Sequence, residues 1–232
     1  MNDLGNLHLD PPEGFRTICD RLESAGFEAW GVGGAIRDAL LGVERADWDI
    51  ATSARPEQVR GLFRRTVPLG IEHGTVGVIS PDGAMYEVTT FRRDVATDGR
   101  HAVVEFADSI DEDLARRDFT INAVAWRPAT AEFRDPHGGR EDLERRILRA
   151  VGNPADRFTE DYLRVLRGLR FAGRYSLDMD QLTRTELVNA IAGLGRLSAE
   201  RVREELLKSL AGPRAGDILA LYAETGALES WY

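Results

Sequence analysis

A single cysteine, Cys19, is all that the 232 residues contain, so a disulfide framework and a cysteine-rich zinc site are both excluded. No run approaches the roughly 18 apolar residues that a membrane span needs. The opening "MNDLGNLHLDPP" has neither the basic stretch nor the apolar centre of a secretory signal. Internal repeats and low-complexity segments are missing too. These absences point to a globular protein with no membrane partner and to the cytoplasm. An excess of positive charge is also missing: 30 Lys and Arg stand against 39 Asp and Glu, a formal net charge of −9. Taken alone, that balance speaks against a nucleic-acid partner.

The charge is unevenly spread. Residues 1–52 hold 4 Lys and Arg against 10 Asp and Glu, whereas residues 140–174 hold 9 arginines against 6 acids. An acidic front suits cation binding and an arginine-rich middle suits anion binding. The length allows one large domain or two small ones, each with a real core.

Hydrophobic periodicity divides the chain. "PPEGFRTICDRLESAG" predicts a helix, "FEAWGVG" a strand, "AIRDALLG" a short helix, "ADWDIAT" a strand and "RPEQVRGLF" a helix with Pro56 near its start. Residues 75–91 predict a β-hairpin around "PDG". Residues 92–102 are polar and turn-rich. Ser109 and Glu112 have capping-box spacing and open a further helix. "NAVAWR" and "EFRD" read as strands, with "DPHGGRED" as a loop. Beyond about residue 140, "RFTEDYLRVLRGLRFAGRY", "RTELVNAIAGLG", "SAERVREELLKSLAG" and "GDILALYAETGALE" all read as helices. The expected fold is α+β. A head of residues 1–140 has a mixed or antiparallel sheet with flanking helices, and an all-helical domain of residues 141–232 follows.

The segment "GVGGAIRDALLGVERADWDIAT" (31–52) gathers unlike groups. Gly33 and Gly34 before a helix start let backbone N–H groups approach a phosphate closely, and Arg37 falls within the first turn. In a strand, Asp47 and Asp49 share one face, with Trp48 on the other. Two neighbouring carboxylates repel unless a cation sits between them, and hard Mg²⁺ takes oxygen ligands of this kind. The alternative is a glycine turn followed by a solvated acidic strand end. Glu87 stands in an otherwise apolar strand, where either bound metal or a water-facing edge would account for it. His73, His101 and His137 are scattered and read as ordinary loop or strand residues, His137 as a brace for its loop.

"EDYLRVLRGLR" spaces Asp161 and Arg164 at i and i+3, one face of a helix. This is either an exposed salt bridge or a base reader. The exposed amino group of cytosine or adenine is a donor where guanine and uracil offer a carbonyl, so a fixed Asp–Arg edge favours C and A. Arg167 and Arg170 extend the row, and planar guanidinium forks suit phosphate oxygens.

Five segments in order resemble the motifs of the class II tRNA nucleotidyltransferases, the CCA-adding enzyme family, which shares its motifs with bacterial poly(A) polymerases. They are "GGAIRDALLGVERADWDIAT", "RRDFTINA" (116–123), "DPHGGREDL" (135–143), "EDYLRVLRGLRF" (160–171) and "ERVREELLKSL" (200–210). The resemblance implies a polymerase β-type catalytic head and a helical neck that reads the incoming base. It implies Asp47 and Asp49 as Mg²⁺ ligands and Glu87 as the third catalytic carboxylate. Gly33, Gly34, Arg37, Arg117, Asp118, Asn122, Asp161, Arg164, Arg167 and Arg170 are implied as nucleotide-binding positions, with Asn122 helping to position the sugar. "RRDVATDGRHAVVEF" (92–106) is similar to the loop that switches the family from C to A addition. The implied partners are a tRNA 3′ end, CTP and ATP.

Family members usually continue into body and tail domains that hold the tRNA, and the sequence is expected to be truncated before them. A homo-oligomer is left open, because family interfaces often use that region. "PLGIEHGTVGVI" (68–79) is less basic than the matching segment of poly(A) polymerases and favours CCA addition. An A-adding specialist and an inert RNA- or nucleotide-binding remnant are the alternatives.

Overall fold

The computed structural model describes residues 9–43, 47–97, 102–212 and 214–229. The first eight residues, residues 98–101 of the switch-loop segment (His101 among them) and residues 230–232 lie outside the described residues. The chain divides into two compact units. The first takes residues 1–93, 104–117 and 121–140; the second takes 94–103, 118–120 and 141–232.

The strands of the first unit are β1 (Ala29–Val32), β2 (Asp49–Thr52), β3 (Thr66–Pro68), β4 (Thr75–Ile79) and β5 (Met85–Thr90). Between these and the next strands of the unit, β6 (Arg92–Thr97) and β7 (Ala102–Phe106) form a separate two-stranded ribbon whose residues 94–103 belong to the second unit, so the segment read as turn-rich is largely extended. β8 (Ala125–Arg127) and β9 (Glu132–Arg134) complete the set. Seven of these strands make one sheet in the order β3-β4-β5-β2-β1-β8-β9. Only the β2–β5 pair within that sheet is parallel, so the sheet is mixed, and β4 with β5 makes the expected hairpin. The helices are α1 (Glu13–Ser24), α2 (Gly34–Leu40), α3 (Pro56–Leu62) and α4 (Ile110–Ala115). Helix α5 (Gly139–Glu144) starts at the end of this unit.

Helix α1 buries Phe15, Ile18, Cys19 and Leu22, an i, i+3, i+4, i+7 stripe that lies against the sheet. Phe15 is fully buried, with the Trp48 ring 4.8 Å and the Tyr86 ring 6.4 Å away, centroid to centroid. Trp48 also meets Trp126 at 6.3 Å. These aromatic contacts pin the entry to β2 from the core side. Asp47 precedes the strand instead of lying within it, and is exposed.

The second unit contains α6 (Pro154–Glu160), α7 (Leu163–Tyr175), α8 (Gln181–Asn189), α9 (Ala199–Leu210) and α10 (Ala215–Glu224). It is not purely helical: β10 (Ile147–Leu148) and β11 (Asp178–Met179) pair in parallel. Residues 118–120 join this unit because Phe119 is fully buried there, edge-on to Phe171 at 5.9 Å and 6.4 Å from Phe158. Backbone bonds from Thr120 N to Arg149 O (2.9 Å) and from Val151 N to Asp118 O (3.0 Å) hold the segment in place.

The run expected as one helix over residues 157–175 is two helices. Asp161 is extended (φ −155°, ψ 107°) and its Oδ1 accepts from the Leu163 N–H at 3.1 Å, competing with helical pairing at the break. Glycine lets α7 and α10 approach closely. A β-carbon at Gly173 would lie 2.6 Å from Ile218 Cγ1 and 3.0 Å from its backbone N and Cα. Among the described residues no helix is long and apolar enough to cross a membrane.

Candidate active site

Strand register brings the expected groups of the first unit together. Val32, the last residue of β1, pairs with Asp49, the first of β2. The Gly33–Gly34 turn therefore begins one residue from the partner of Asp49. On the other side of β2, Ile50 pairs with Val88 in the parallel direction, so Asp49 and Glu87 each stand one residue before a matched pair, on one face. Glu87 is exposed although β5 is an interior strand, which removes the edge-strand explanation for it.

The carboxylates feel one another. Burial pushes Asp49 up to about 6; Glu87 and Asp47 push in the same direction, and Arg117 opposes them. Among the described residues no group of three or more His, Cys, Asp or Glu side chains is arranged to hold a metal by itself. Mg²⁺ binds through one or two carboxylates, water and substrate phosphates more often than in an all-protein cage, and Asp47 and Asp49 are the carboxylates that could hold it. A divalent cation at Asp47 and Asp49 would relieve the repulsion that raises Asp49.

Two guanidinium groups flank the glycine turn. Gly33 has φ +71°, and a β-carbon there would lie 3.0 Å from Nη1 of Arg117. Glycine is thus required twice, by the backbone and by the space. A β-carbon at Gly34 would lie 3.5 Å from Nη2 of Arg37. Arg37 is buried. It donates through Nε and Nη2 to Asp38 Oδ1 (2.9 and 2.7 Å) and through Nη1 to Asn122 Oδ1 (2.6 Å). Asn122, in the 3₁₀ turn Thr120–Asn122, also accepts from Arg117 Nη1 through its backbone oxygen at 3.5 Å. It ties both arginines to the turn. Arg37 thus lies beside the turn, as its first-turn position predicts, and braces it through Asp38 and Asn122.

The second unit holds the remaining candidates, in pairings the sequence did not suggest. Asp161 Oδ2 accepts from Arg201 Nη2 at 2.7 Å, and Arg164 Nη1 pairs with Glu160 Oε2 at 2.6 Å. Asp161 and Arg164 are therefore not two positions on one helix, because the chain breaks between α6 and α7. Arg167 Nε donates to Asp118 Oδ2 at 2.7 Å. Arg170 is buried and donates through Nε to Glu205, itself buried. Its guanidinium lies in the interior, paired with a carboxylate. Arg201 and Glu205 carried no role in the sequence reading; their i, i+4 spacing in "ERVREELLKSL" was the available signal. The third-motif loop is braced by Asp135, whose carboxylate accepts from the N–H groups of Gly139 (2.7 Å) and Arg140 (3.0 Å).

Residues 29–149 match the poly A polymerase head domain, and residues 176–232 match the probable RNA and SrmB-binding site of polymerase A. The CCA-adding enzyme of Geobacillus sp. is 44% identical over 211 residues, 90% of this chain and 52% of that protein. The crystal structure of the Bacillus stearothermophilus CCA-adding enzyme in complex with CTP superposes with a TM-score of 0.87 at 43% identity. The match covers 94% of this chain and 53% of that one. The Thermotoga maritima CCA-adding enzyme complexed with tRNA gives 0.77 at 26% identity, over 93% of this chain and 51% of that one. The chain spans about half the length of the curated relatives it matches.

Proposed function

Because the chain belongs to the class II CCA-adding enzyme family, whose poly A polymerase head domain it carries, we propose that it transfers nucleotides from CTP and ATP to the 3′ end of tRNA. The observation that carries this reading is the register of β1, β2 and β5. It sets a glycine turn flanked by Arg37 and Arg117 beside Asp49 and in line with Glu87.

The reaction is attack of the tRNA 3′-hydroxyl on the α-phosphate, with pyrophosphate leaving. Asp47 and Asp49 would hold Mg²⁺, which when bound lowers the cost of the developing charge on both oxygens. Glu87 faces the same side and takes up the proton of the attacking hydroxyl or orients it. The Gly33–Gly34 backbone and Arg117 receive the triphosphate and balance its charge before reaction, so no reorganisation is needed as charge shifts. In the second unit, Asp161, held by Arg201, accepts from the amino group of cytosine or adenine, and Arg164 completes the edge. The substrates place the work in the cytoplasm.

CCA addition is favoured over poly(A) synthesis by the 44% identity to a CCA-adding enzyme and by segment 68–79, which holds no Lys or Arg. The deciding assay gives the protein tRNAs that end before CCA, at CC or complete, with CTP and ATP singly and together. Addition of CCA and then arrest is expected. Untemplated A-tails, A addition alone or no addition would each overturn the reading.

A further inference from the structure

Helix α4 carries an aspartate with no part in the chemistry above. Asp113 is 1% exposed and receives three side-chain hydrogen bonds from two arginines. Arg116 donates through Nε and Nη2 to Oδ1 (both 3.1 Å), and Arg117 donates through Nη2 to Oδ2 at 2.8 Å. The backbone N–H of Arg92 adds a longer contact to Oδ1 at 3.4 Å. Burial alone would raise the Asp113 pKa, but Arg117 and Arg116 outweigh it and hold the carboxyl below the ordinary range, ionised at neutral pH.

The partner that matters is Arg117. One end of its guanidinium is fastened to Asp113, and Nη1 lies against Gly33 with a long contact to the Asn122 carbonyl. Its Nε is buried with no hydrogen-bond partner among the described residues. A guanidinium clamped at one edge, with Nη1 beside a glycine turn and only a long contact to the Asn122 carbonyl, is arranged to receive an anion. Unclamped, its long side chain would sample several rotamers, and ordering it would then cost binding energy at each turnover.

We infer that Asp113 is a positioning residue for nucleotide binding: it fixes the Arg117 guanidinium against the Gly33 turn so that the triphosphate meets a preset donor. This rests on the reading of the first unit as a nucleotidyl-transfer site.

The test is a double-mutant cycle with Asp113→Asn, Arg117→Ala and the pair, read as kcat and KM for CTP and, separately, KM for the tRNA acceptor. Asp113→Asn is expected to raise KM for CTP about 10- to 100-fold and to leave the acceptor KM unchanged. In the Arg117→Ala background it is expected to add nothing. A wild-type KM for CTP in Asp113→Asn overturns the inference while the functional reading stands, and so does an effect that multiplies in full with Arg117→Ala. A general loosening of α4 would multiply in this way and would also move the acceptor KM. If Asp113→Asn does not fold, Asp113→Glu takes its place under the same criteria. If the wild type adds no nucleotide to tRNA, the cycle is read by equilibrium dialysis of CTP with the same criteria. Failure of the wild type to bind CTP overturns the inference together with the reading beneath it.

Discussion

Asp161 and Arg201 meet at 2.7 Å across 40 residues of sequence, joining the break between α6 and α7 to the first turns of α9. The pair fixes the Asp161 carboxylate in direction, as an acceptor must be to tell an amino group from a carbonyl. Asp161→Ala is expected to lose about 1–3 kcal/mol of discrimination between CTP and UTP. Arg201→Ala should follow in the same direction with a smaller loss, because the Leu163 N–H still holds one oxygen. The ratio of kcat/KM for CTP to that for UTP measures both. Unchanged ratios would remove Asp161 from base choice.

Asp49→Asn should cost activity and gain stability. Incorporation is expected to fall on the order of 10²–10³-fold or more, while the metal-free protein becomes more stable by about 1–3 kcal/mol at pH 7. The sign follows from the raised pKa. A carboxyl held near 6 in the fold and near 3.8 when unfolded binds more protons in the folded state between those values. Stability of the wild type therefore falls as pH rises from about 4 to 6. The gap between variant and wild type should be absent at the acid end and full above pH 7. Thermal unfolding in chelator across that range checks it.

Mg²⁺ should raise the unfolding temperature of the wild type and not that of Asp49→Asn, since a ligand bound only by the folded state stabilises it by mass action. Equal shifts in the two proteins would move the cation site away from Asp49.

Breaking the buried Arg170–Glu205 pair is a stability experiment. Glu205→Gln leaves an uncompensated interior guanidinium and is expected to cost about 3–5 kcal/mol. Its KM for CTP should stay near the wild-type value at temperatures where it is folded. A selective rise in that KM would return Arg170 to the triphosphate.

Gly173→Ala should destabilise by about 1–3 kcal/mol, because the added carbon meets the Ile218 backbone, which cannot swing away as a side chain would. Denaturant unfolding measures the loss.

Periodicity made much of this legible. The stripe of α1, the β4–β5 hairpin and the Ser109 cap, whose Oγ accepts from the Glu112 N–H at 3.4 Å, are local patterns and stand where the sequence puts them. The break at Asp161 was invisible, because "EDYLRVLRGLR" contains no proline and its one glycine lies beyond the break. The cause is a side chain that caps Leu163 and reaches Arg201, a contact no window of the sequence contains. The partner of Arg37 was invisible for a similar reason: its first-turn position says it is near the glycines, but only the fold supplies Asn122, 85 residues away. Asp113 carried no role in the sequence. Its burial alone sets it apart from exposed neighbours such as Asp108.

The pairing of Val32 with Asp49 also bears on how the gene can change. The distance from the glycine turn to the carboxylate is held by cross-strand hydrogen bonds and not by the chain that joins α2 to β2. Residues added to or deleted from that connection would leave Asp49 opposite Val32, whereas a one-residue slip of β2 would turn Asp49 to the Trp48 side. Length variation is therefore expected to be tolerated in the connection between Gly42 and Asp47 and to be selected against within β1 and β2.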